Sequence, residues 1–176
     1  MSKLYLFVAL AFSSACPHLV CAQTTAGSQG EPIAAIRAYE GTWKLKSDTL
    51  ETPHSKAGHD EKEIRNDCWR SGGYYACNQY VDGDSKILLV FTFDAGKKIY
   101  TSYLVPADGR PASSGVLQIQ GDTWIFPWEN TEEGHVVYYR VVNVFKSPKL
   151  IEYRREFSTD KANWTGMDRG TEVKIK

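Results

Sequence analysis

The sequence predicts an all-β chain, an up-and-down antiparallel β-barrel of about ten strands preceded by one short N-terminal helix. Three observations predict it. From Gly41 onward, short apolar or alternating runs are cut about every dozen residues by turn signals: Gly72-Gly73, Asp82-Gly83, Gly96, Asp108-Gly109, Gly121-Asp122 and Ser147-Pro148. Aromatic residues make up 12% of the chain, with five Trp and ten Tyr, a richness suited to packed sheets or pocket linings. The connections are too short to hold crossover helices, so consecutive strands must run antiparallel, and a single long meander hides its edges best by closing on itself. A β-sandwich satisfies the same local signals and is the structural rival.

The elements follow in order. Residues 31–39 carry Pro32 at the start and Ile33, Ile36 and Tyr39 at helical spacing, the one plausible helix of the chain. Strands are expected near 42–50, 60–70, 74–81, 86–94, 99–105, 115–120, 123–128, 136–145, 149–157 and 171–176. With 176 residues and 42% apolar content, the chain suffices for one domain of ordinary size.

The N-terminus reads as a targeting segment. Lys3 precedes the apolar run Leu4 to Phe12, and Val20-Cys21-Ala22 offers small residues at a peptidase spacing before Gln23. The run is shorter than the roughly 20 residues a membrane anchor needs. Residues 1–22 are therefore expected to be a signal peptide, 23–30 a flexible leader rich in Thr, Ser and Gly, and 31–176 the single barrel domain. Export to the periplasm or the medium follows. Lipidation at Cys16 or Cys21 is the competing reading, which the residues ahead of each cysteine fit poorly.

Removal of the signal leaves two cysteines, Cys68 and Cys77, equidistant from Gly72-Gly73. A two-residue turn there sets them directly opposite, at a non-hydrogen-bonded position where side chains approach closely. A disulfide is expected, closing a loop of about ten residues and contributing about 2 to 3 kcal/mol. Without a Cys-x-x-Cys spacing, a redox role is the weaker reading.

Hairpin arithmetic then assigns faces. A turn at Ser147-Pro148 would set Val144 against Ile151, Val142 against Tyr153, Arg140 against Arg155 and Tyr138 against Phe157, an apolar face interrupted by two arginines. A turn at Gly83-Asp84 would set Ala76 against Phe91 and Tyr74 against Phe93, and the same face continues through Trp69, Asp67 and Arg65. Around Gly121-Asp122, Ile119 faces Trp124 and Leu117 faces Phe126. Two guanidinium groups opposed on an apolar face repel each other and resist desolvation, so an anion is needed beside them. A ligand carboxylate or phosphate would answer, with Tyr138 and Tyr153 adding hydroxyl donors and Phe157, Phe91, Trp69, Arg65 and Asp67 completing the lining. An internal salt bridge, to Asp67 or an acid from another strand, would also answer, as would a place at the barrel mouth in water.

Other chemistries find little support. Basic and acidic residues number 21 each, and loss of Lys3 with the signal leaves a net charge of −1, so no basic field exists for nucleic acid. His54 and His59-Asp60 lie in a polar stretch without a third strong ligand at a metal-binding spacing, and no metal or cofactor is expected. Gly-x-Ser-x-Gly, His-Glu-x-x-His and phosphate-cradling glycine loops do not occur. Trp124, Phe126 and Trp128, two apart on one strand, form either core or an aromatic platform.

Gly41-Thr42-Trp43, just after the short helix, resembles the Gly-x-Trp signature that opens the first strand of lipocalins and the wider calycin group. The chain also resembles bacterial secreted lipocalin-like proteins carrying a domain of unknown function, through the early Gly-x-Trp, Phe91-Thr92-Phe93-Asp94 before a turn, and Ser158-Thr159-Asp160 followed by Trp164. The Thr-Asp-Tyr-like second motif of the narrow lipocalin family is not found. The resemblance implies a barrel over residues 40–176 that binds small hydrophobic ligands, with Gly41 and Trp43 as structural residues. The arginine pair is similar in chemistry to intracellular fatty-acid-binding proteins, where internal arginines and a tyrosine hold a head group. Three function classes follow, in order: an exported binder of a small hydrophobic or amphipathic anion, a filled barrel serving structure or protein interaction, and a lipid- or isoprenoid-acting enzyme using Asp67 as its acid.

Overall fold

Among the described residues ten strands form, and every one is hydrogen-bonded to two neighbours. The computed structural model describes residues 32–176; the expected signal peptide and leader lie outside the described residues. A 3₁₀ helix, Pro32–Tyr39, leads into β1 (Gly41–Thr49), β2 (Gly58–Ser71), β3 (Tyr74–Val81), β4 (Asp84–Asp94) and β5 (Ile99–Pro106). The meander continues through β6 (Ser113–Gln120), β7 (Thr123–Glu132), β8 (His135–Ser147), β9 (Leu150–Ser158) and β10 (Thr165–Lys174). All pairings are antiparallel and β10 returns to β1, so the barrel is closed and leaves no sheet edge. Closure excludes the sandwich.

The Cys68–Cys77 disulfide is present across the β2/β3 pair, with Cα atoms 4.0 Å apart, as the turn at Gly72-Gly73 requires. Ile119 faces Trp124 as expected. The other two hairpins differ. Asp82 and Gly83 both take positive φ, 52° and 88°, which is the geometry of a two-residue hairpin turn, so the β3/β4 turn is centred there and not at Gly83-Asp84. With a bulge at Gln79/Tyr80, Tyr75 faces Phe91 and Ala76 faces Val90, one place from the expected pairing.

The β8/β9 hairpin turns at Pro148-Lys149, because Ser147 pairs with Leu150 and its Oγ accepts a bond from the Lys149 amide. A bulge at Phe145/Ser147 completes the slip. Arg140 therefore opposes Glu156, and Arg155 opposes Val141. A one-residue slip exchanges the two faces of one strand relative to the other. The expected arginine pair does not exist.

Strand β10 begins six residues before its expected start, since its inward positions Asp168 and Gly170 break the apolar alternation that would have revealed it.

The apolar core gathers at one end of the barrel. The 3₁₀ helix lies across that end, burying Ile33, Ile36 and Tyr39 against Trp43, Tyr75, Phe91, Leu117, Trp124 and Ile151. Trp43 is fully buried and its indole N–H donates to the Tyr39 carbonyl at 3.0 Å, tying helix to strand. Gly41 has φ of 116°, and a Cβ there would collide with the Lys176 carbonyl, so this position accepts only glycine.

Candidate functional site: the inner wall of the barrel

Register assigns every mid-strand side chain to the inside or the outside. Trp43, whose side chain is in the core, shares its row with Ile64 on β2 and Lys174 on β10. Alternation then sends Leu45, Ser47 and Thr49 of β1 inward, together with Asp168, Gly170 and Glu172 of β10 and Ile151, Tyr153, Arg155 and Phe157 of β9. On the far side, Ile87, Leu89, Phe91, Leu104, Leu117 and Phe126 point in from β4, β5, β6 and β7.

The expected ligand residues divide between the two faces. Arg155, Tyr153, Phe157 and Phe91 point inward. Arg140, Tyr138, Arg65, Asp67 and Trp69 point outward. The outward guanidinium of Arg140 is held by Glu156 at 2.6 Å and lies 3.9 Å from the ring centre of Trp164. Tyr138 lies under the Lys161 ammonium. Arg65 pairs with Asp67 at 3.4 Å and covers the Tyr80 ring, while Trp69 is 42% exposed. Asp67 thus stands on the outer wall, away from any acid–base role inside the barrel.

Inside, Arg155 donates to Asp168 at 3.4 Å, an internal salt bridge to an acid from the neighbouring strand. The internal salt bridge that the sequence left open is therefore supplied by β10. The pair is incompletely satisfied: Arg155 Nε and Asp168 Oδ1 are buried without hydrogen-bond partners, as is Asn143 Oδ1 on β8. Orphaned polar atoms of this kind are costly in a folded chain unless water or a ligand meets them. Tyr153 lies against Asp168 and Ser47, and its hydroxyl is pushed well above the usual range, first by burial and then by the Asp168 carboxylate.

Nearer the helix-capped end, Glu172 faces inward between Leu45 and Ile151, and burial pushes its carboxyl up to about 7. Beside it Tyr39 accepts a hydrogen bond from the Asn143 amide, and burial together with the Glu172 charge raises the Tyr39 hydroxyl.

At the opposite end the segment 50–57 crosses towards the β7/β8 hairpin. His54 meets Glu132 at 2.8 Å through Nδ1, and its ring packs 4.4 Å from that of Phe157. Tyr139 also donates to Glu132. These bonds, the one from Tyr139 first, hold the Glu132 carboxyl below its ordinary value, while burial and then Glu132 push the Tyr139 hydroxyl up to about 12. His54 and His59 each bind a carboxylate of their own, Glu132 and Asp48, and no group of three or more potential metal ligands occurs among the described residues. Trp128 stacks on Tyr139 with rings 5.4 Å apart and is 40% exposed, Phe126 is half-buried, and Trp124 is buried, so the aromatic row runs from core to rim.

The inner wall is closed off at the helix-capped end, where Trp43, Phe91, Leu117 and Ile151 are fully buried. Ile64, Ile87, Leu89, Leu104, Val141 and Tyr153 also point inward, and all retain accessible surface.

Sequence reasoning missed Glu172, Asp168, Asn143 and Ser47. Strand β10 alternates polar residues on both faces, so no hydrophobic signal distinguished inside from outside there.

No family model matches the chain, and no curated protein matches it. Among solved structures, Rv2717c from M. tuberculosis is similar with a TM-score of 0.48 at 9% identity, covering 83% of this chain and 99% of that one. An S-type phycobiliprotein lyase, CPES, from Guillardia theta is similar with a TM-score of 0.47 at 12% identity, covering 81% and 91%. A redesigned β-barrel gives a TM-score of 0.37 at 12% identity, covering 83% and 99%.

Proposed function

We propose that this chain is an exported, lipocalin-like binding protein that holds a small hydrophobic or amphipathic ligand inside its barrel. One observation carries the reading: on the inner wall of a closed barrel Ile64, Ile87, Leu89, Leu104, Val141 and Tyr153 keep accessible surface, while Arg155 Nε and Asp168 Oδ1 are buried there without hydrogen-bond partners. A mostly apolar wall with a few convergent polar groups is the usual lining of a small-molecule site. Because Asp168 balances the charge of Arg155, a carboxylate head group or its neutral hydrogen-bonding equivalent both fit. Export to the periplasm or medium is supported by the leader sequence and by a disulfide, which persists in oxidising compartments. No helix among the described residues is long and apolar enough to cross a membrane.

The test is titration of purified protein with anilinonaphthalene sulfonate, an apolar fluorophore with one anionic group. Saturable binding is expected, weakened about tenfold or more by Arg155→Ala and unchanged by Arg140→Ala, since only the former side chain lies on the inner wall. Absence of saturable binding, or equal loss in both variants, would overturn the proposal and favour a barrel that serves as a structural or interaction module.

A further inference from the structure

Charge is divided unequally around the outer wall of the barrel. Strands β3, β5 and β6 contain no Lys, Arg, His, Asp or Glu, and β4 carries only Asp84, Lys86 and Asp94, at or near its ends. The outward positions of β2, by contrast, run His59, Glu61, Glu63, Arg65 and Asp67. Register joins the uncharged positions into one continuous face. Trp69, Ala76, Val90 and Tyr103 stand side by side across β2 to β5. Tyr74, Thr92, Thr101 and Val116 form the next row across β3 to β6, and Leu88 with Val105 extends the face on the other flank. Trp69, Tyr74, Tyr103, Val105 and Val116 are each between 38% and 47% exposed. With their half-buried neighbours they amount to roughly 600 Å² of accessible, largely apolar surface, the upper end of what an ordinary monomer leaves bare in one patch.

The barrel is closed, so a partner cannot add a strand to an edge and must pack on the face itself. A lipid surface suits this face poorly. Thr92 and Thr101 stand at its centre, and hydrocarbon would offer their hydroxyl groups no partner. A second protein wall can pair them. Hydroxyl groups of Thr and Tyr both donate and accept, so the face complements itself, and a two-fold axis would bring no like charges together on it. Two copies would bury about 1,200 Å² in total, the lower end of specific, stable interfaces.

We infer that a second copy of this chain covers the outer wall of β3–β6, giving a two-fold dimer packed face to face. Each barrel would keep its own interior, so the ligand site proposed above is unaffected.

The test is sedimentation equilibrium of the purified protein from about 1 to 100 μM, the range in which a contact of this size dissociates. A reversible monomer–dimer equilibrium is expected. Val116→Glu and Tyr103→Glu each carry one carboxylate per copy into the contact and should weaken it about tenfold or more. Val173→Glu, at a comparably exposed valine on β10 outside this face, should leave it unchanged. Far-UV circular dichroism confirms the fold of each variant, and the two glutamates lie on different strands, so misfolding of one leaves the other as the reading. A wild type that stays monomeric throughout, a dimer unmoved by both glutamates, or one weakened equally by Val173→Glu would overturn the inference. So would a monomer that sediments with phosphatidylcholine vesicles, which would assign the face to a membrane.

Discussion

Glu172 offers the most quantitative test of the interior. Its carboxyl is carried inside the barrel by β10, and burial raises it from an ordinary value of 4.5 to about 7. A carboxyl raised on folding binds its proton more tightly in the folded state than in the unfolded chain. Between pH 4.5 and 7 the folded protein therefore holds more protons, and stability falls as pH rises through that window. Below 4.5 the group is neutral in both states and costs nothing. Above 7 the full cost is present, and a shift of this size corresponds to about 3 kcal/mol. Replacing Glu172 by Gln removes the titration while keeping shape and one acceptor. The assay is urea denaturation of wild type and Glu172→Gln from pH 4 to 8, taking the difference between the two at each pH so that all other titrating groups cancel. The expected difference is near zero at pH 4 and grows to about 3 kcal/mol in favour of the variant at pH 8. Parallel curves, or a variant that is less stable at pH 8, would show that Glu172 is solvated like a surface carboxylate, and the inner wall would have to be reassigned.

Two further tests bear on the frame that holds this site. Converting Cys68 and Cys77 together to Ser is expected to lower unfolding free energy by about 2 to 3 kcal/mol, measured in denaturant, because the crosslink closes a short loop at the turn of β2 and β3. A loss below about 0.5 kcal/mol would mean the hairpin is held in place by its neighbours alone. Trp43→Ala should cost about 3 to 5 kcal/mol, since the ring is fully buried and its N–H holds the 3₁₀ helix; a near-neutral change would disprove the role of that helix as the cap of the barrel.

Much of the fold was legible because it is written in local chemistry. Turn dipeptides and alternation located the strands, and symmetry about Gly72-Gly73 located the disulfide to the residue. Gly41 and Trp43 marked the first strand, where a positive φ and a buried indole explain both residues. The interior was legible only in part. Phe91, Tyr153, Arg155 and Phe157 were placed correctly on the inner wall, whereas Arg140, Tyr138, Arg65, Asp67 and Trp69 belong to the outer one. The β8/β9 error rests on a single residue: a turn at Pro148-Lys149 with a bulge beside Phe145, in place of Ser147-Pro148, exchanges Arg140 for Val141 opposite Arg155. Asp168 and Glu172 sat on a strand too polar to reveal its faces.

The amino-acid sequence by itself determined that the chain is a meander of antiparallel strands with one short helix and one hairpin disulfide, since turns and two-residue alternation are local properties of the backbone. Only the tertiary structure decided which side of each strand looks inward, because that depends on bulges and on the ring closing between β1 and β10. The β9/β10 register brought Asp168 to Arg155, and the closure set Leu45 of β1 beside Glu172 of β10, a juxtaposition of strands far apart in sequence.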